Sequence, residues 1–532
     1  MSENPEIAAA APAAEGEDKN VKVDGDDNQG KPMKTDSKTS RATSVDSEDS
    51  LASDKKEVEE VFQEEIIPEF RLGEWRNMRR IIAEDPDWTL ATVPVLKDLV
   101  VKHIADNFEY HSLSLKKLLP KYQKRVLAKI SPKLPLSVTA LLVEDEDYWE
   151  RCCRARWNIC DVSVYGNSWK RMYMEKNLEQ IIELFVPHTT DSQELDDTVK
   201  LSAEFIKKLD IQQLLPPIKE AHKGPDFDDL SDSGENEDEP LWDHFNFGPL
   251  LSNLPFLEEL HLTYGVRDCG MNFEWSLFQF TSRDCLLLSQ CVASCKTLRV
   301  FRLHRSKVDD DKVRVLISSI LDHPSLEVLD LSHNIISDRG ARAIGKFLTN
   351  HSRLTRLNLC DNQIRVMGAQ AIGHALTKNS LLVCLNLRLN RLGDEGGQAI
   401  CKALLKNRSI RELHLGSNDL AEPSAHILSQ VMLCNNVLRK LDLSCNRLGP
   451  DGGKQIQEGM EANKTIIHLD LRLTECGQEA EYCVCQILHR NQETDRMERI
   501  INSEAVNSQY RKTKFEPQST HRYRLPPTAI II

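Results

Sequence analysis

One pattern returns five times between Leu326 and Asn446 at a fixed interval of 28 residues, and it constrains the fold more than any other feature of the chain. The template is Leu-x-x-Leu-x-Leu-x-x-Asn. It is met at Leu326, Leu329, Leu331 and Asn334, and again at Leu354, Leu357, Leu359 and Asn362. Leu382, Leu385, Leu387 and Asn390 follow, then Ile410, Leu413, Leu415 and Asn418, then Leu438, Leu441, Leu443 and Asn446. The alternating leucines suit a short strand with one buried face. After each Asn comes a helical stripe, such as Gly340-Ala341, Ile344 and Leu348, or Gly368-Ala369, Ile372 and Leu376. One strand and one helix of this size cannot enclose a core, so successive units must stack.

Outside the five strict units the pattern loosens, as terminal repeats do. Leu298, Phe301, Leu303 and Ser306 form an earlier unit, and Ile466, Leu469, Leu471 and Thr474 a later one. Leu257, Leu260, Leu262 and Gly265 read as the first strand, with about 13 extra residues before the next unit, around Asp268 to Phe280. The 28-residue strand-helix unit resembles the ribonuclease-inhibitor type of leucine-rich repeat. That resemblance implies an α/β horseshoe solenoid with parallel strands inside and helices outside.

The repeated Asn334, Asn362, Asn390, Asn418 and Asn446 are expected to be structural, bonding backbone groups where each strand turns away. Residues between the leucines point away from the core and toward the concave side. One row holds Arg302, Asp330, Asn358, Asn386, His414, Asp442 and Asp470. Beside it lie Arg356, Glu412 and Lys440 on one side and Arg388 and Arg472 on the other. This mixed-charge row set is the expected protein-binding surface.

The remaining organisation follows from composition. Residues 1–57 form an acidic leader with few large apolar side chains, expected to be disordered. Residues 58–222 read as a small all-helical domain. Its expected helices include a stripe of Val93, Leu96, Leu99, Val100, His103 and Ile104 and another of Tyr122, Val126, Leu127 and Ile130. A third places Trp149, Cys153 and Trp157 on a helical core, and further helices are expected over Lys176–Phe185 and Val199–Leu215. Residues 223–240 read as an acidic linker, without the ligand order of a calcium loop. The solenoid is expected over 241–490 and a basic, mostly unstructured tail over 491–532.

No reaction is legible. The chain has no phosphate-binding Gly-x-x-x-x-Gly-Lys-Ser/Thr, no Gly-x-Ser-x-Gly elbow and no His-Glu-x-x-His. No catalytic, cofactor-binding or metal-ligating residues are expected. The 15 cysteines contain no Cys-x-x-Cys pair and read as reduced, mostly buried thiols. The net charge of -14 argues against a general nucleic-acid partner. No apolar run is long enough to span a bilayer, and the N-terminus lacks the form of a secretory leader, so a cytoplasmic protein without membrane contact is expected.

The segments Asp87-Trp-Thr-Leu-Ala-Thr-Val-Pro94 and Tyr148-Trp-Glu-Arg-Cys-Cys-Arg-Ala-Arg-Trp157, together with the repeats, resemble the family of leucine-rich-repeat subunits of the dynein regulatory complex. The likeness is read over about Ile66 to His489. It implies a scaffold in the nexin link of the axoneme in cilia and sperm flagella. Its implied partners are other subunits of that complex and doublet microtubules, touched directly or through those subunits. A second likeness, to F-box substrate receptors of ubiquitin ligases, rests on Leu118-Leu119-Pro120 leading into a Trp-bearing helical segment ahead of leucine-rich repeats.

Overall fold

The structure is a computed structural model and describes residues 95–217, 244–350 and 352–514. The leader, the acidic linker and residues 515–532 lie outside the described residues. From Leu96 onward the described chain belongs to one compact unit.

Nine strands form a single parallel sheet in chain order. They are β1 (Lys208–Ile211), β2 (Glu259–Leu262), β3 (Val300–Leu303), β4 (Val328–Asp330), β5 (Arg356–Asn358), β6 (Cys384–Asn386), β7 (Glu412–His414), β8 (Lys440–Asp442) and β9 (His468–Asp470). The central leucines stay in register, with Leu329, Leu357, Leu385, Leu413, Leu441 and Leu469 aligned across six strands. Strands sit about 4.8 Å apart, whereas packed helices need about 8–10 Å. The stack therefore bends with its strands on the concave side.

Ahead of β1 lie α1 (Leu96–Asp106), α2 (Pro120–Leu127), α3 (Glu146–Arg156), α4 (Trp169–Glu183) and α5 (Gln193–Ser202). Between and beyond the later strands lie α6 (Phe247–Ser252), α7 (Ser282–Ser294), α8 (Asp310–Ser319), α9 (Asp338–Asn350), α10 (Val366–Leu376), α11 (Gly393–Leu404), α12 (Glu422–Cys434), α13 (Gly449–Ala462) and α14 (Gln478–Lys514). Three of these helices are capped from the repeat before. Asp310 accepts the backbone N–H groups of Ser337 and Gly340, Asp338 those of Arg365 and Gly368, and Asp394 those of Ala421 and Ser424, all at 2.7–3.1 Å. A Cβ at Gly368 would come within 2.7 Å of the Asp338 carboxylate, so the glycine makes room for the cap. Each cap ties a helix to its neighbour as well as satisfying its first turn.

The structure corrects the expected start of the solenoid. In place of a helix over Val199–Leu215, α5 ends at Ser202 and β1 follows, pairing residue for residue with β2. Leu257–Gly265 thus marks the second strand. Residues 58–94 of the expected helical domain lie outside the described residues, and its described part, 95–217, is continuous with the solenoid, because its last strand is the first strand of the sheet. Ile206, Leu209 and Ile211 are fully buried, at the spacing of the repeat template.

An exposed strand edge is normally a liability, since its free N–H groups invite other strands. Here α4 covers it with carboxylates one helical turn apart. Glu175 accepts from the N–H of Lys207 and Lys208, Glu179 from Asp210, and Glu183 from Gln212, at 2.7–3.0 Å. Burial pushes the Glu179 carboxyl up from 4.5 to about 8. The folded state therefore keeps this proton to higher pH than the unfolded chain does. That contribution is full below about pH 4.5 and is lost as pH rises through 8. Glu179→Gln, which keeps an acceptor for Asp210, is expected to remove this decline. Denaturant titrations from pH 4.5 to 8.5 should show the variant gaining on the wild type at the alkaline end.

The α1 stripe is also corrected. Val101, Ile104 and Ala105 are its buried side, while Leu96, Leu99 and Val100 are exposed. Both sets have helical spacing, and the sequence alone does not choose between them. In the next stripe Val126 and Ile130 are fully buried, as expected. Trp149 and Cys153 are buried too. Trp157 lies just past the end of α3, its ring against Tyr173 at 5.5 Å.

At the other end, the expected unstructured tail from 491 is instead helical to Lys514 as part of α14. Ala480 and Val484 close the core. Asn491 donates to the Asn463 and Ile466 carbonyls, and Arg439 pairs with Asp495. This long helix closes the last repeat, which would otherwise expose its apolar side.

Candidate protein-binding surface

The side chains flanking each buried strand leucine form the outer layer of the sheet. Arg356 and Lys440 are exposed, and Asp330, Asn358, Asn386, Glu412 and His414 are partly so. Asp442 is buried. The expected rows are therefore brought onto one face, but much of their charge is spent internally. Lys440 Nζ lies 3.0 Å from Glu412 Oε1, and Arg356 Nη1 lies 3.7 Å from Glu412 Oε2. His414 Nδ1 and Arg388 Nη1 approach Asp442 Oδ2 at 3.7 and 4.0 Å. Arg472 is bidentate to Asp470. Arg302, at the start of the row, is exposed.

These contacts set the charge states. The Asp442 carboxylate and the Cys384 side chain raise His414 to about 9, so it is cationic at neutral pH. Burial alone would raise the Asp442 carboxyl, but the nearby His414 ring and hydrogen bonds from Ser444 hold it below the usual carboxylate range. Glu412 is likewise lowered by Lys440 against the effect of burial.

The row also has a structural duty that the sequence reading did not assign. Asp330, Asn358, Asn386, Asp442 and Asp470 each accept the N–H two residues on, at 3.0–3.1 Å, turning the chain at the strand end. Side chains with an oxygen in this position are thus retained partly for the turn.

The five repeated asparagines sit beneath this face and do as expected. Asn446 donates to the carbonyls of Leu415 and Leu443 and accepts from the N–H groups of Asn418 and Leu420. At the looser ends Ser306 and Thr474 are fully buried in the same place. A second asparagine ladder, outside the leucine template, also recurs every 28 residues. Asn379, Asn407, Asn435 and Asn463 donate to Leu348, Leu376, Leu404 and Met432 at 2.7–2.9 Å, where each helix returns to the sheet.

No disulfide forms among the cysteines, all fifteen of which are free. Among the described residues, no helix is long and apolar enough to cross a membrane. One constellation was invisible in the linear sequence. Cys384, Glu412 and His414, from β6 and β7, bring their ligating atoms within 4.8 Å of one another.

A parallel strand-helix stack with an asparagine ladder defines a leucine-rich-repeat solenoid. The family described as "Leucine Rich repeat" matches residues 322–345, 378–401 and 434–456. Within that class, the chain is similar to proteins named Dynein regulatory complex subunit 5. The Homo sapiens protein is 51% identical over 258 residues, 48% of this chain and 51% of that one. The Chlamydomonas reinhardtii protein is 33% identical over 220 residues, 41% of this chain and 50% of that one. The chain spans about half the length of the curated relatives it matches. The matched stretch is shorter than the Ile66–His489 reach read from the sequence. Among solved structures, leiomodin-1 actin-binding site 2 is 20% identical with a TM-score of 0.28, covering 32% of this chain and 96% of that one, which carries no functional weight.

Proposed function

We propose that this chain is a non-catalytic scaffold subunit of the nexin-dynein regulatory complex. Identity of 51% to a subunit of that complex is the observation that carries the reading. The concave face then binds neighbouring subunits, with the exposed Arg302, Arg356 and Lys440 among its polar contacts. Doublet microtubules are reached through those subunits or directly. The protein resides in the cytoplasm and on the axonemal cytoskeleton of cilia and flagella, where it helps regulate dynein-driven motility, including that of sperm.

A continuous solenoid closed by helices at both ends suits this role, since its core runs unbroken along the array and offers a wide contact face. The test is a tagged chain expressed in ciliated cells that are then extracted with detergent. Retention on the axoneme with cross-links to regulatory-complex subunits is the expected result. Release into the soluble fraction with a ubiquitin-ligase adaptor would overturn the assignment in favour of the F-box-like reading.

A further inference from the structure

We propose that Cys384, Glu412 and His414 form a binding site for a divalent, zinc-like cation on the concave face. The three residues come from adjacent strands in register, Cys384 lying directly opposite Glu412, and Glu412 and His414 sharing one face of β7. Their ligating atoms all lie within 4.8 Å of one another, close enough for one ion to gather with small side-chain rotations. A sulfur, a nitrogen and a carboxylate oxygen are the donor set of zinc rather than of calcium or magnesium. Three protein ligands leave a fourth position open to water.

The surroundings supply the outer support such sites use. In the proposed site Nε2 of His414 ligates, while its Nδ1 lies 3.7 Å from Asp442 Oδ2. A carboxylate behind a ligating histidine fixes its ring and raises its basicity. Asp442 is itself held by the Ser444 N–H and hydroxyl. Binding takes the Cys384 sulfur as thiolate and His414, cationic in the free protein, as the neutral ring, so one proton from each passes to solvent. The cations nearby oppose the ion. Lys440 at 3.0 Å and Arg356 at 3.7 Å both compete for Glu412. The site is therefore a moderate one, tunable through those two side chains.

Cobalt(II) titration of the full chain tests this, because a thiolate ligand gives cobalt a charge-transfer absorption that the other donors do not. One equivalent should bind with that band and be displaced by zinc. Cys384→Ser should abolish the band. Asp442→Asn, which keeps the turn acceptor, should weaken binding by about 10–100-fold. Lys440→Met should strengthen it by freeing Glu412. Melting curves of the metal-free variants separate loss of ligand from loss of fold. A wild-type chain that shows no band, a band that survives Cys384→Ser, or a Lys440→Met variant that binds more weakly would each overturn the proposal.

Discussion

Asn446→Ala is expected to destabilise the solenoid by on the order of 4 kcal/mol, far more than its size suggests. The side chain is 1% exposed and bridges two repeats. Its amide serves the Leu415 and Leu443 carbonyls, and its oxygen serves the Asn418 and Leu420 N–H groups, at 2.8–3.1 Å. Alanine leaves the Asn418 and Leu420 N–H groups and the Leu443 carbonyl without these bonds, while the Leu415 carbonyl keeps its bond from Asn418; each such loss costs about 1–3 kcal/mol. The strain nearby adds to the effect. Cys445, the residue before it, lies at φ 56°, and the equivalent Leu389 and Leu473 are at 56° and 58°. Non-glycine residues there cost about 1–2 kcal/mol, so the asparagine also holds an unfavourable turn in place. Ser306→Ala, at the looser end, is the internal comparison. Its hydroxyl makes one bond to the His304 carbonyl and one from the Tyr264 N–H, so a loss nearer 1 kcal/mol is expected. Urea titrations of the two variants give both numbers, and equal losses would contradict the ladder's role.

Leu209→Asp should be still more damaging, and it should unfold both halves of the described chain together. Leu209 is fully buried in β1 and aligned with Leu260 of β2. A carboxylate there has no partner, and an unpaired buried charge ranks among the most destabilising single changes. Removing β1 would also bare the edge of β2 and release the backbone groups that Glu175, Glu179 and Glu183 now serve. One cooperative transition, shifted well below the wild-type melting temperature in every spectroscopic probe, is the expected outcome. If the segment before residue 217 were a domain of its own, the repeats would keep their transition and only part of the signal would move.

Most of the repeat architecture could be read in advance because it is periodic. A 28-residue recurrence of leucines fixes strand, register and core at once, and the Asn positions fall beside it. The first strand was hidden for a physical reason. Ile206, Leu209 and Ile211 keep the repeat spacing, but the acidic segment separates them from Leu257, so the fixed interval fails there. A short apolar run following a helix then reads as more helix. The end of the chain was misjudged by composition, since the polar α14 is held by Val484, Asn491 and Asp495 at only a few points. The site was legible as a face but not as chemistry. That Asp442 or Asn386 turns its own backbone, or that Cys384 meets His414, depends on neighbouring strands and rotamers that no linear pattern reports.

Whether the concave face is where this chain meets its partners can be read by site-specific photo-cross-linking in ciliated cells. A photoreactive residue is placed at exposed Arg302 or Arg356 on the sheet, and at exposed Gln370 on the outer surface of α10. Cross-links to dynein regulatory complex subunits are expected from both sheet positions, with few from Gln370. Cross-links from Gln370 alone would contradict this and move the binding surface to the helices.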